Sequence, residues 1–265
     1  MEYLHAVIMG LIEAATEFLP VSSTGHLILA DRVLGFKGPP GHVFEVVIQL
    51  GAILAICVLY FKKLLGVVTN LHKDEAARHF AIVSIIAFIP AMIAGGLLHG
   101  IIKTFLFSPF VVCTMLVVGG VAIIVIERLK PVPQLFSIET IPYKTAFLIG
   151  MAQCLALVPG VSRSGATILG ALCFGVERKT AAEFSFFQAI PLMLGAVTLD
   201  LWKNRGVLSM DDIAVIAIGF ITAFIGALCV VRWMLGFVTR NGFTPFAYYR
   251  IVVGTIGLIV LTFIP

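Results

Sequence analysis

The sequence predicts an all-α polytopic membrane protein, with six transmembrane helices and two re-entrant helical hairpins in an inverted-topology internal repeat. Three observations carry that prediction. The 265 residues are 60% hydrophobic and only 12% charged, where a soluble domain carries about 25% charged residues; mean hydropathy is +1.09. The apolar runs are long and unbroken, whereas a β-barrel alternates polar and apolar residues in segments of about 10. Helices are therefore the spanning structure. Finally, two apolar segments, about 3–35 and 145–175, are interrupted midway by proline, glycine and hydroxyl residues, where a helix cannot continue with its backbone bonds intact.

Taken in chain order, the first broken segment is followed by uninterrupted runs near 43–62, 80–101 and 109–127. The second is followed by runs near 184–202, 213–231 and 245–264. Each run is close to the roughly 20 residues that a span needs. The chain begins M-E-Y-L-H, with an acid and no basic stretch, so a cleaved signal peptide is not expected. Cys57, Cys113, Cys154, Cys173 and Cys229 show neither pairing nor metal spacing and read as small core residues.

Sliding the chain over itself by 140 residues aligns Gly10 with Gly150, Val21 with Val161, Ser22 with Ser162, Gly25 with Gly165 and Gly35 with Gly175. The centre of the match is V-S-S-T-G against V-S-R-S-G. F-I-P-A-M-I from Phe88 echoes F-I-T-A-F-I from Phe220, and S-P-F at Ser108 echoes T-P-F at Thr244. The chain thus reads as one integral membrane domain, 1–265, of two homologous halves, 1–130 and 141–265. If each broken segment enters and leaves on one side, each half crosses three times. An odd number of crossings inverts the second half, and inverted repeats place their site at the midplane.

On that topology one side holds 11 basic residues: Lys62, Lys63, Lys73, Arg78, Arg128, Lys130, Lys144, Arg178, Lys179, Arg232 and Arg240. The other side holds 5: Arg32, Lys37, Lys103, Lys203 and Arg205. The richer side is expected to be cytoplasmic. Both termini and the first hairpin then face outward, and the loops 62–79 and 128–145 face the cytoplasm.

The polar residues inside the broken segments are the candidates for chemistry, because a charge at depth costs roughly 2.5–3.5 kcal/mol on insertion scales. Glu13 and Glu17 are four apart and share a helix face. A divalent cation, a shared proton or Arg163 would relieve their repulsion; water and phosphate would complete a Mg²⁺ or Ca²⁺ shell. S-S-T-G-H from Ser22 and S-R-S-G-A-T from Ser162 both look like hydroxyl-rich turns that start a helix. Such starts offer free N–H groups, hydroxyl caps and the positive end of the dipole, which make an anion site. Arg163 adds a planar fork suited to phosphate oxygens. Ser22, Thr24, Gly25, Ser162, Arg163, Ser164, Gly165 and Thr167 are therefore the candidate phosphate ligands. His26 is a candidate proton carrier. Glu45, Gln49, Glu183, Gln188 and Asp200 are candidates for supporting the site, and His5, His42, His72, His79 and His99 are given no role.

At these residues the chain resembles the undecaprenyl-diphosphatases, bacterial membrane enzymes also called the bacitracin-resistance family. The resemblance rests on E-A-A-T-E-F-L-P-V-S-S-T-G-H from Glu13, F-E-V-V-I-Q-L-G from Phe44, P-G-V-S-R-S-G-A-T from Pro159 and E-F-S-F from Glu183. It implies hydrolysis of a polyprenyl lipid, undecaprenyl diphosphate, to undecaprenyl phosphate and inorganic phosphate, which recycles the carrier of peptidoglycan synthesis and lowers sensitivity to bacitracin. It also implies the bacterial inner membrane, an inverted-repeat fold and a divalent cation. Under that reading Glu13 and Glu17 hold the cation or tune its water, and Arg163 with the turn N–H groups holds the phosphates. Ser23 is the first choice of nucleophile with His26 as its proton partner; His26 itself or a metal-bound water are the competing nucleophiles. The rival reading is an inverted-repeat transporter or flippase of a polyprenyl phosphate or another anion. Against it stands the one-sidedness of the acids: positions 153, 157 and 166 are Gln, Leu and Ala. No nucleic-acid partner is expected, and a homodimer is one compatible assembly.

Overall fold

The computed structural model describes residues 1–36, 38–39, 43–102, 106, 108–129, 132–204 and 210–263. Lys37, His42, Lys103, Lys130 and Arg205 lie outside the described residues, as do the side chains of His99, Asp200 and Lys203. The described chain is helical, with a single isolated bridge between Leu135 and Val176.

The first broken segment folds as α1 (Glu2–Thr16) and α2 (Ser23–Leu34), and the second as α7 (Tyr143–Gln153) and α8 (Arg163–Cys173). These helices are 15, 12, 11 and 11 residues long. At 1.5 Å per residue none exceeds about 23 Å, short of the roughly 30 Å hydrocarbon core. α1 packs on α2 and α7 on α8. Both second helices start in the same way. Ser22 (φ 72°) and Ser162 (φ 80°) cap them, accepting from the N–H groups of Gly25 and Gly165 at 3.4 and 3.0 Å.

The uninterrupted runs give α3 (Val43–Leu59), α5 (Glu75–Ile101), α6 (Pro109–Leu129), α9 (Arg178–Asn204), α10 (Met210–Asn241) and α11 (Thr244–Phe263). Among the described residues, five of these are long and apolar enough to cross a membrane alone. The run predicted at 43–62 departs from expectation. It breaks at Tyr60 and bends by 72° into α4 (Phe61–Asn70), so the first part of the expected 62–79 loop is a helix. Its Lys62 and Lys63 explain the turn: an ammonium pair at the end of an apolar helix is held at the polar boundary. α10 runs ten residues past the predicted end, carrying Arg232 and Arg240. Pro90 and Pro191 sit inside α5 and α9, tolerated where neighbouring helices support the backbone.

The packing follows an exchange rule. α1 packs on α10 and α7 on α5; α3 packs on α10 and α9 on α5; α3 meets α9 and α6 meets α11. Swapping α1 with α7, α3 with α9, α5 with α10 and α6 with α11 leaves that set unchanged. Close approach is set by small residues, as in lipid where tight packing drives association. A Cβ on Gly10 would stand 2.6 Å from Gly219 O in α10, and one on Gly150 would stand 2.5 Å from Ala87 O in α5. The core holds Phe18, Ile53, Ile56, Phe184, Phe186 and Phe187, with Phe18 edge-on to Phe186 at 5.3 Å. Of the cysteines, Cys113 is buried, whereas Cys173 and Cys229 are exposed, contrary to the core role expected of them.

One end of the bundle is tied by ion pairs. Lys63 pairs with Glu139 at 3.0 Å. Glu127 takes Arg178 in a two-point contact and the Phe243 N–H at 2.9 Å. These contacts gather the start of α4, the 132–142 loop, the start of α9 and the α10–α11 turn.

Candidate active site between the two turns

The two hydroxyl turns converge. Ser23 and Arg163 are the first residues of α2 and α8, and Glu17, one residue past α1, lies between them. Ser23 Oγ donates to Glu17 Oε2 at 2.5 Å. Arg163 Nη2 donates to Glu17 Oε1 at 2.9 Å. Arg163 Nη1 reaches Ser185 O at 2.6 Å and Ser185 Oγ at 3.1 Å, so the E-F-S-F motif of α9 holds the guanidinium. Ser164 Oγ donates to Leu19 O at 2.8 Å and lies 3.0 Å from Ser162 Oγ, stitching one turn to the other.

A cavity of about 360 Å³ opens beside this chain of contacts. Glu17, Ser22, Ser23, Thr24, Ser162 and Arg163 line it, together with Gln49 and Gln153. Its size suits a diphosphate headgroup. Of the candidate phosphate ligands, Gly25, Ser164, Gly165 and Thr167 do not line it. The Gly25 and Gly165 N–H groups are spent on the serine caps. Thr167 is fully buried, its hydroxyl 3.0 Å from Gln153 Oε1 and 2.9 Å from Arg163 O.

Glu13 sits one turn behind Glu17, fully buried, with Glu17 and Arg163 as its charged neighbours. Neither of its carboxylate oxygens has a partner. Those of Glu17 are engaged by Ser23 and Arg163; the two carboxylates together carry the hard oxygen donors that Mg²⁺ or Ca²⁺ take, so the residues fit a divalent cation that displaces a Glu17 contact. Among the described residues no cluster of three or more His, Cys, Asp and Glu side chains forms, which leaves water and phosphate to complete a shell.

His26 lies in the first turn of α2, as expected, but its ring nitrogens meet groups other than Ser23. Its Nδ1 lies 2.8 Å from Ser22 O and its Nε2 lies 2.7 Å from Tyr249 Oη, with the two rings stacked at 5.5 Å. It does not line the cavity. One helical turn along α2 from Ser23, it points to α11, and the hydroxyl of Ser23 pairs with Glu17 instead. Of the supporting candidates, Gln49 lines the cavity, Glu183 accepts from Tyr60 Oη at 3.2 Å, and Gln188 donates to Ser84 O at 3.1 Å.

Sequence reading missed Arg250. It is 1% exposed and all five of its guanidinium N–H groups go to carbonyls. Nη1 donates to Pro20 O and Val161 O, Nη2 to Gly160 O and Met115 O, and Nε to Leu116 O, at 2.9–3.2 Å. It thus binds both turns and α6 at once. Room for it comes from Gly119, where a Cβ would stand 2.0 Å from Nη2. The available signal was a charge two turns into an apolar run, costly unless occupied.

Comparison with known proteins finds relatives over nearly the whole chain. Undecaprenyl-diphosphatase of Parvibaculum lavamentivorans is 56% identical over 257 residues, covering 97% of this chain and 96% of that protein. The Sinorhizobium fredii undecaprenyl-diphosphatase is 54% identical over the same coverage, and undecaprenyl-diphosphatase 1 of Agrobacterium fabrum is 51% identical over 259 residues, 97% of this chain and 96% of that protein. A family described as bacitracin resistance protein BacA matches residues 6–256. That match runs from α1 to α11 and takes in both turns and the arginine that joins them: the chain belongs to the BacA family.

Proposed function

We infer that this multi-pass membrane protein hydrolyses undecaprenyl diphosphate to undecaprenyl phosphate and inorganic phosphate. The observation that carries the reading is the Ser23–Glu17–Arg163 chain, at 2.5 and 2.9 Å, on the wall of a headgroup-sized cavity. Relatives more than half identical over nearly their whole length bear that activity in their names.

The chemistry divides between the two halves. Ser23 Oγ attacks the terminal phosphorus while Glu17 Oε2 takes its proton. An O–P bond forms, the bridging P–O bond breaks, and undecaprenyl phosphate leaves. Water then cleaves the phosphoserine, releasing inorganic phosphate and returning the proton to Ser23. Arg163 supports the charge that spreads over the transferring oxygens, its fork fixed by Ser185. Glu13 and Glu17 would hold a divalent cation, whose positive charge neutralises the phosphates when bound. His26 orients the start of α2 through Ser22 O and Tyr249.

The halves 1–130 and 141–265 are inverted repeats, with α1–α2 and α7–α8 as the re-entrant hairpins; the exchange rule in the packing and the twin serine caps support this. The basic end, with Lys63, Arg178 and Arg240, faces the cytoplasm across the inner membrane, and both termini face outward. Loss of the diphosphate form removes the lipid that bacitracin sequesters, which accounts for resistance. Phosphate release by purified protein in detergent, where no gradient exists, separates hydrolysis from transport. Ser23→Ala is expected to fall to background; turnover near that of the wild type sinks the serine route.

A further inference from the structure

We propose that Gln153 is a phosphate ligand of the site, its amide nitrogen completing an anion cradle with Arg163. This rests on the phosphatase reading above. Gln153 is the last residue of α7, 2% exposed, and it lines the cavity. Its Oε1 is held by the Thr167 hydroxyl at 3.0 Å, which leaves the NH₂ as the free end. That Nε2 has no partner, and neither does Arg163 Nε; both are buried.

Unpaired buried donors are uncommon because each forfeits the hydrogen bond it made to water. Two of them belong here to residues of one cavity wall, and Thr167 ties them together by contacting Gln153 Oε1 and Arg163 O. The ligand that satisfies both is an acceptor-rich anion, and a phosphate has the oxygens to bridge them. The repeat gives the same answer from the other side. The shift that aligns Ser22 with Ser162 aligns Glu13 with Gln153. Glu13 carries two unpartnered acceptors, Gln153 an unpartnered donor. The first half thus presents a cation-seeking pole and the second an anion-seeking one, which matches a diphosphate carrying a divalent cation. A glutamate at 153 would repel the phosphate, which explains why the second half carries an amide where the first carries an acid.

Gln153→Glu is the decisive variant because it keeps the oxygen that Thr167 holds and removes only the donor. Two measurements are made on purified protein in detergent: KM and kcat for undecaprenyl diphosphate, and equilibrium binding of inorganic pyrophosphate with Mg²⁺. The expected result is at least a 10-fold rise in KM and at least 10-fold weaker pyrophosphate binding at neutral pH. Activity relative to wild type at the same pH should recover as the pH falls, since a protonated carboxyl is again a donor. Gln153→Leu should weaken pyrophosphate binding equally without that pH-dependent recovery. Wild-type KM and pyrophosphate affinity in Gln153→Glu would overturn the assignment, as would equal loss in both variants with no recovery at low pH. A wild type that binds pyrophosphate but releases no phosphate from the lipid would refute the phosphatase reading and leave the Gln153 contact standing.

Discussion

Arg250→Lys isolates the clamp that joins the two turns. The guanidinium makes five hydrogen bonds, all to carbonyls, whereas an ammonium has three donors, so at least two carbonyls lose their partner. Met115 O and Leu116 O lie within α6 and retain their helical bonds. The turn carbonyls of Pro20, Gly160 and Val161 have no such reserve, and each stranded one costs about 1–3 kcal/mol. A single ammonium nitrogen stands in for three nitrogens spread over the fork; where it keeps one of these three turn carbonyls it strands the other two, a loss of about 2–6 kcal/mol, a large part of a typical stability of about 5–15 kcal/mol. The turns carry Ser23 and Arg163, and misplacing reacting groups by about 1 Å costs on the order of 100-fold. The assay is thermal unfolding in detergent, with kcat and KM for phosphate release measured below the transition. Expected are a clear drop in melting temperature and a fall in kcat of about 10-fold or more with a smaller change in KM. Wild-type melting and kcat in Arg250→Lys would refute the reasoning.

Three other outcomes are expected. Chelation should abolish phosphate release and added Mg²⁺ or Ca²⁺ restore it, while Glu13→Gln should raise the cation concentration needed for half-maximal rate; rates that ignore chelator would dismiss the cation. A double-mutant cycle on His26→Phe and Tyr249→Phe should give a stability coupling of about 0.5–1.5 kcal/mol, read by unfolding, and each single variant should retain measurable turnover; loss of turnover as complete as in Ser23→Ala would return His26 to the chemistry. Gly150→Ala places a methyl against Ala87 O at 2.5 Å and should destabilise by about 1–3 kcal/mol, seen as a lowered melting temperature.

Much of the site is legible because it is written twice. The repeated V-S-x-x-G marks two helix starts, and isolated charges in apolar surroundings mark Glu13, Glu17 and Arg163. The pairing of Ser23 is not legible, since residues 17, 23 and 26 are all close in sequence. Only the turn geometry decides that Glu17 meets the hydroxyl while His26 faces α11. Tyr249 and Arg250 escape notice for another reason. An aromatic and a cation near the start of a span look like ordinary interfacial anchors, and nothing local reveals that their partners lie about 90 to 230 residues away. The bend at Tyr60 has no proline or glycine to announce it.

Arg250 belongs to α11, which is synthesised after every element it fastens, and it joins the turns made near the beginning and middle of the chain. α1 likewise waits for α10, and α7 packs on α5. A nascent chain stopped before α11 therefore has its serine, its acids and Arg163 in hand but no fixed pocket to work in. Competence arrives in one late step, so incomplete products left in the membrane are idle rather than loosely active.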